Sequence, residues 1–418
     1  MKKFSEYFFA NKKNYRGYVD KRFKDLASQF SQLQDARTGF GGAALVVYFQ
    51  GEKVVDIYTG RKSITEEWKS DTLSVCYSTG KGVLATLAHI LVSDGLLEYD
   101  KPVADYWPEF AKNGKEHITL RQMLCHRSGL FDIRNNIENA TEMADWQHML
   151  KVIENAKPRF EPNQDAAYQP LTFGWQIGGA IEHATNKSLA ELIQHYLVEP
   201  LELDGAYFGV PKDQIERVAK PLPTRRSVLK QKKPNSKKVK RKITHLDRLL
   251  EFSGHNPKDF QDGMIPKGMK DLSFFSDEGL QAIIPAANGV FTANSLAKIY
   301  AMLANKGSWE GHQYIKPEVF KILSKVQYSK RDRVMPIPMH WRLGYHRLLT
   351  LGKKAKKGFG HIGFNGSGAW CDPERELSFA YTHNFPTGSI TGDFRLWGLT
   401  QEALRCADRE INGYKGWF

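Results

Sequence analysis

The run Leu73-Ser74-Val75-Cys76-Tyr77-Ser78-Thr79-Gly80-Lys81-Gly82 passes from alternating apolar residues into a strongly helical segment that continues to Val92. Alternation in Leu73, Val75 and Tyr77 reads as a strand. Ser78 therefore stands at a predicted helix N-terminus, where backbone N–H groups favour developing negative charge. Lys81 follows three residues later and shares a helix face with Ser78. An amine one turn from a hydroxyl is one way to activate a serine nucleophile without a histidine–aspartate pair.

The spacing recurs at Ser227…Lys230, in a lysine-rich loop, and at Ser295…Lys298, where Thr292, Asn294 and Ser295 read as a helix start with a cap. Only Ser78 has a strand before it and a helix after it.

The chain has 418 residues, enough for two or more packed units. Hydrophobic content of 41% with 12% aromatics indicates an ordered globular protein. The net charge of +14 is concentrated. Residues 225–242 hold ten Lys or Arg and no acid; setting them aside leaves about +4, an ordinary surface. The basicity is thus local and does not predict a nucleic-acid-binding fold. The run Lys230 to Lys242 reads as a solvated insertion, with docking on anionic lipid, nucleic acid or an acidic partner as the competing, non-enzymatic reading.

Cys76, Cys125, Cys371 and Cys406 show no zinc or disulfide spacing and fit a reduced compartment. The apolar run Tyr7 to Ala10 after Lys2 and Lys3 is short for a signal peptide, and no run reaches membrane-spanning length. A cytoplasmic location is expected.

Strands are predicted at 42–50 and 53–59, joined by a tight turn at Gln50-Gly51-Glu52, and again at 341–347, 358–364, 366–371 and 377–383. Helices are predicted over 17–35, 81–94, 119–126, 143–155, 171–184, 188–197, 294–306, 316–325 and 392–411. Residues 222–275 read as a long loop with one short helix near His245 to Phe252. Strands at both ends imply one sheet domain, 17–70 with 286–418. A mainly helical domain, 71–285, lies between and carries the basic loop 222–244. Residues 1–16 read as an extension.

Two further segments can carry chemistry. Tyr168, in Pro162 to Pro170, is either a packed surface aromatic or a proton relay. Gly360-His361-Ile362-Gly363-Phe364-Asn365-Gly366 places glycines in a strand, a pattern that marks close approach of a ligand or backbone. His361 is there either a satisfied core histidine or a site residue. No helix start follows the glycines, so a phosphate cradle is a poor reading.

Taken in order, these segments resemble the serine β-lactamases and penicillin-binding proteins, and most closely the family VIII carboxylesterases of class C β-lactamase fold. The likeness rests on YSTGKG at 77–82, DGLLEYDKPVADYWPEF at 94–110, ITLRQMLCHRSGL at 118–130, YQPLTFGWQIGG at 168–179, IPAANGVFTANSLAKIY at 284–300 and FGHIGFNGSGAWCDPERELSFAYTHN at 359–384. It spans most of residues 20–410. It implies an α/β (α+β) fold: an antiparallel sheet flanked by helices, plus the helical second domain. It implies Ser78 as nucleophile, Lys81 and Tyr168 as proton carriers, and an oxyanion hole from the N–H groups of Ser78 and Phe364. His361, Gly363 and Trp370 become substrate-binding or auxiliary residues, with His361 orienting Tyr168. Trp107, Phe131 and the 250–285 region are expected near the pocket. No metal or cofactor is required.

Two departures matter. The family's Tyr-x-Asn reads Tyr168-Gln169-Pro170, and its Lys-Thr-Gly reads His361-Ile362-Gly363. The first lacks the amide that contacts a lactam side chain. The second lacks the fixed cation that holds a lactam carboxylate. The expected activity is therefore carboxylesterase on short-chain acyl esters. β-Lactamase, D-alanyl peptidase or acyltransferase activity is the alternative with the same chemistry.

Overall fold

The computed structural model describes residues 15–34, 41–222, 255–352 and 354–413. Strands β1 (Arg16–Val19), β2 (Ala43–Phe49) and β3 (Glu52–Thr59) come from the N-terminal end. β4 (Ser74–Val75), β5 (Ala206–Tyr207) and β6 (Val290–Phe291) make a small separate sheet. β7 (Ser308–Trp309) and β8 (His312–Gln313) make a hairpin. β9 (His346–Arg347), β10 (Phe359–Ile362), β11 (Gly368–Asp372) and β12 (Leu377–His383) come from the C-terminal end.

The main sheet is antiparallel, in the order β1-β3-β2-β12-β11-β10-β9. Its middle is the β2–β12 pair, which runs from Ala43 opposite His383 to Phe49 opposite Leu377. The two chain ends thus meet in one sheet, as the strand pattern implies. Gln50 and Gly51 both have positive φ, the conformation that a two-residue hairpin loop of matching twist requires.

Six helices position the sheet and the site: α1 (Lys24–Leu33), α2 (Thr79–Ser93), α3 (Thr172–Thr185), α4 (Pro257–Met264), α5 (Ala293–Ala304) and α6 (Phe394–Asn412). Alternation along the strands sorts side chains to two faces. Leu45, Val47, Phe49, Trp370 and Phe379 pack with Phe23, Leu26 and Phe30 and with Leu396 and Leu399, under α1 and α6. Ala44, Val46, Ala369 and Cys371 join the larger core with α2, α3 and α5. α2 is buried on almost every side, as expected of a helix apolar all round.

Several elements differ from their sequence expectation. Residues 16–19 are strand, not helix or extension. Gly17 lies so close to β3 that a Cβ would meet the Asp56 carbonyl oxygen at 2.0 Å. Asp20 then accepts from the Arg22 N–H and starts the turn into α1. Of 341–347, only His346–Arg347 pairs in the sheet; Gly344, at φ +79°, donates to the Leu124 carbonyl instead. α4 was hidden in the predicted loop, although Asn256-Pro257 is a strong start signal: Asn256 caps and Pro257 takes the first turn. The basic run and the expected helix near 245–252 lie outside the described residues.

A Cβ on Gly82 of α2 would lie 2.1 Å from the Tyr300 hydroxyl on α5. Helix propensity favours Ala over Gly by about 1 kcal/mol, but overpacking a core costs about 1–3 kcal/mol. Gly82→Ala is therefore expected to be destabilised, read as a lower urea midpoint.

Candidate active site

Tyr77 has φ 50°. This left-handed conformation costs a non-glycine residue about 1–2 kcal/mol. It turns the chain sharply from β4 into α2 and leaves Ser78 at the helix N-terminus. Ser78 holds the N-cap position, but its side chain makes no capping bond. The hydroxyl is left for other partners.

Those partners arrive from two loops. Tyr168 donates its hydroxyl proton to Ser78 Oγ at 2.9 Å. Lys81 Nζ lies 3.0 Å from the same oxygen. The Lys81 amine also donates to the carbonyl oxygens of Pro170 at 2.7 Å and Ala286 at 2.8 Å. Ser78 Oγ has the Ala286 carbonyl as a longer acceptor at 3.4 Å. The three residues singled out in the sequence thus share one hydrogen-bonded cluster.

The Ala286 loop is held from below. Asn288 accepts from the Ile284 N–H and donates to the carbonyls of Gly279 and Ala282. Gly80 and Gly174 let this loop lie against α2 and α3; a Cβ on either would meet Pro285 or Ala286 backbone atoms within 3 Å. Tyr168 is held by Asp332, whose Oδ1 accepts from the N–H groups of Tyr168, Val334 and Met335. Asp332 Oδ2 accepts from Trp341 Nε1 at 2.9 Å. The Trp341 ring stacks on Tyr168 at 5.5 Å, and His126 packs edge-on against both. Nothing local points to Asp332, which sits between two arginines and reads as surface charge.

Electrostatics follow from burial. Lys81 is fully buried, and desolvation holds its amine well below the usual lysine range. It makes no ion pair among the described residues, so no carboxylate offsets that shift. Its Nζ has three oxygen neighbours, the two carbonyls and Ser78 Oγ; once neutral, an amine with two N–H groups on the carbonyls has its lone pair free for the serine hydroxyl. Burial raises the Tyr168 phenol, more than its bond to Ser78 lowers it. Burial pushes the Asp332 carboxyl up to about 6, against the pull of its four N–H donors.

His361 lines the cavity beside Ser78. It makes no hydrogen bond to Tyr168; the rings lie 6.2 Å apart. Its Nδ1 contacts the Ile362 carbonyl at 3.1 Å and its Nε2 has no partner among the described residues. Burial drives His361 and His126 well below the usual histidine range and His346 to about 4. All three rings are neutral near pH 7. The expected role of His361 in orienting Tyr168 therefore falls to Asp332 and Trp341.

The glycines of this strand serve the protein's own backbone. A Cβ on Gly363 would meet the Cys76 carbonyl at 2.1 Å. Its absence brings the strand end against the turn that carries Ser78. Phe364 follows and lines the cavity with Ser78. Among the described residues, neither the Ser78 N–H nor the Phe364 N–H donates to another protein group. Trp370 does not reach the site. It pairs opposite Gly360 on the sheet's other face, stacks on Phe379 and donates to Thr400. Period-two alternation puts it there, one residue from Ala369 on the site face. Trp107 and Phe131 are core residues, stacked on His183 and Phe160.

Ser78 opens into a cavity of about 510 Å³. Phe260 and Met264 of α4, with Met269 and Phe274, form one wall; Met335 and Met339 form another. The 250–285 region thus contributes as expected. Among the described residues, the lining contains no Lys, Arg, Asp or Glu.

A sequence model of the family described as beta-lactamase matches residues 23–401. The chain belongs to the beta-lactamase family. Esterase/beta-lactamase LipL of Mycobacterium tuberculosis is 34% identical over 377 residues, covering 88% of this chain and 82% of that protein. A solved family VIII carboxylesterase superposes with a TM-score of 0.79 at 28% identity, covering 94% of this chain and 99% of the other. A penicillin-binding protein homologue from Caulobacter crescentus gives 0.78 at 28% identity, with the same coverage. The fold is that of these proteins, an antiparallel sheet with flanking helices, and the chain is a beta-lactamase-fold hydrolase.

Asp332→Asn would set an amide N–H₂ against the Trp341 N–H. The expected result is a loss of about 1–3 kcal/mol in stability. Misplacing Tyr168 should also lower kcat/KM for ester hydrolysis by roughly ten- to a hundredfold. Thermal unfolding and an ester assay read the two effects separately; unchanged kcat/KM would show that Tyr168 is placed without Asp332.

Proposed function

We propose that the protein is a serine carboxylesterase that works through an acyl-enzyme on Ser78. The observation that carries this reading is the Tyr168–Ser78–Lys81 hydrogen-bonded chain at an uncharged cavity. Ser78 Oγ attacks the ester carbonyl and Lys81 Nζ takes its proton. The oxyanion forms between the N–H groups of Ser78 and Phe364; one such donor is worth on the order of 3 kcal/mol. The tetrahedral species collapses, the C–O bond to the alcohol breaks, and Tyr168 protonates the leaving alkoxide. The Lys81 ammonium returns a proton to Tyr168. Water then attacks the acyl-enzyme, gives its proton to the same pair, and releases the acid and Ser78.

The cavity supports an ester over a β-lactam. A β-lactam brings a carboxylate, and no cation among the lining residues would receive it. His361, at the position of the family's lysine, is neutral, and Pro170, at the position of its asparagine, offers only a carbonyl, already bonded to Lys81. The similarity to esterase/beta-lactamase LipL keeps β-lactam hydrolysis as the second reading. Turnover of p-nitrophenyl butyrate well above that of nitrocefin is the expected outcome, and the reverse order would favour the second reading. No helix among the described residues is long and apolar enough to cross a membrane. Four free, buried cysteines support the cytoplasmic reading.

Ser78→Ala is expected to abolish hydrolysis of p-nitrophenyl butyrate. Lys81→Ala should fail in acylation, with no acyl adduct on Ser78 by mass spectrometry; an adduct formed at the wild-type rate would remove Lys81 as the base.

The pH profile follows from the two shifts. Lys81 works as the neutral amine, so kcat/KM rises with pH through its lowered pKa, at lower pH than an ordinary lysine would give. Tyr168 works as the phenol, and its raised pKa keeps the plateau from falling below about pH 10. Lys81→Arg, which stays charged, should not recover the activity at any pH.

A further inference from the structure

The esterase reading leaves the substrate class open, and the cavity narrows it. Four of the chain's nine methionines, Met264, Met269, Met335 and Met339, line this one space with Phe260 and Phe274. Thioether side chains are unbranched and polarisable, and adapt to apolar groups of varied shape. At about 30 Å³ per water-sized group, 510 Å³ holds on the order of fifteen non-hydrogen atoms. A short ester would leave much of that space filled by water against an apolar wall. Two lining residues are also exposed, Ile265 at 45% and Phe364 at 41%. They mark a mouth through which a longer chain would leave the cavity.

We propose that the site takes an uncharged ester carrying one medium-sized apolar group, about six to ten carbons long, seated against the methionine wall. This rests on the esterase reading and extends it from short-chain esters to a larger class. Each methylene moved from water to the wall raises kcat/KM by up to about fourfold. The gain stops where the chain reaches the mouth. A carboxylate on the same chain meets no cation among the described lining residues and is disfavoured.

Two ester series test this, assayed by base uptake: methyl esters from acetate to dodecanoate, and acetate esters of the matching n-alcohols. One series is expected to rise roughly two- to fourfold per methylene and level off near eight to ten carbons, naming the acyl or the alcohol side as the apolar group. Monomethyl adipate should be cleaved at least about a hundredfold less well than methyl hexanoate. Met269→Trp should lower the ratio of the ten-carbon member to the shortest member of the rising series at least about fivefold. Ester hydrolysis that is flat or falling with length in both series would overturn the proposal while leaving the esterase reading intact, and so would tolerance of the adipate. An unchanged ratio in Met269→Trp would overturn the seating on this wall. Hydrolysis of no ester in either series, with the Ser78 adduct also absent, would remove the esterase reading together with the proposal.

Discussion

The buried amine of Lys81, held by the carbonyls of Pro170 and Ala286, is the contact on which the arrangement turns. It joins three segments that are far apart in the chain: the start of α2, the loop before α3 and the loop before β6. A buried ammonium without a counter-ion costs several kcal/mol, so the group sheds its proton instead. A carboxylate in place of either carbonyl would favour the charged form. The two carbonyls satisfy two N–H groups and leave one direction open, toward Ser78. The carbonyls set the position of the amine, and its burial sets the basicity.

That arrangement makes demands on the surrounding backbone. Gly80, Gly174 and Gly363 each stand where a Cβ would strike a carbonyl, a backbone nitrogen or a proline ring. Tyr77 holds a left-handed turn that most residues avoid. Asn288 and Asp332 brace the two loops from outside the cavity. None of these groups needs to touch a substrate. They keep three loops close enough for an amine, a phenol and a hydroxyl to share one hydrogen-bonded chain. The described lining around them is largely apolar, with four methionines and three phenylalanines, and its two histidines are neutral near pH 7.

The sequence carried the frame of this fold because its signals are local. β2, β3, β12 and α6 follow from strand-like runs, a tight turn and helical spacing; the structure adds an Asp393 cap that accepts from Arg395 and Leu396. The site was legible at Ser78, Lys81 and Tyr168, where ordered motifs resemble a known family. It was not legible where one side chain braces another across long separations. Asp332 lies 164 residues from Tyr168 and looks like surface charge beside Arg331 and Arg333. Trp370 was misread for a related reason: a glycine-rich strand draws attention to every residue in it, but alternation sends Trp370 and Ala369 to opposite faces. α4 was misread for want of weight on Asn256-Pro257, because a lysine-rich stretch precedes it.

The pair Ser295 and Lys298 shows what spacing alone is worth. It repeats the serine–lysine interval at a true helix start on α5. Thr292 caps that helix by accepting from the Ser295 N–H. The Ser295 hydroxyl donates to the Asp204 carbonyl at 2.9 Å, and the Lys298 amine goes to Glu202 at 3.7 Å. The same interval on the same kind of helix thus yields two residues with separate partners and no hydrogen bond between them. At α2 the amine is fully buried, the neighbouring loops offer it carbonyls and no acid, and a phenol closes the far side of the serine. The difference between a structural serine and a candidate nucleophile therefore lies in what surrounds the amine. A serine–lysine motif becomes informative when the segments that will cover it can also be named.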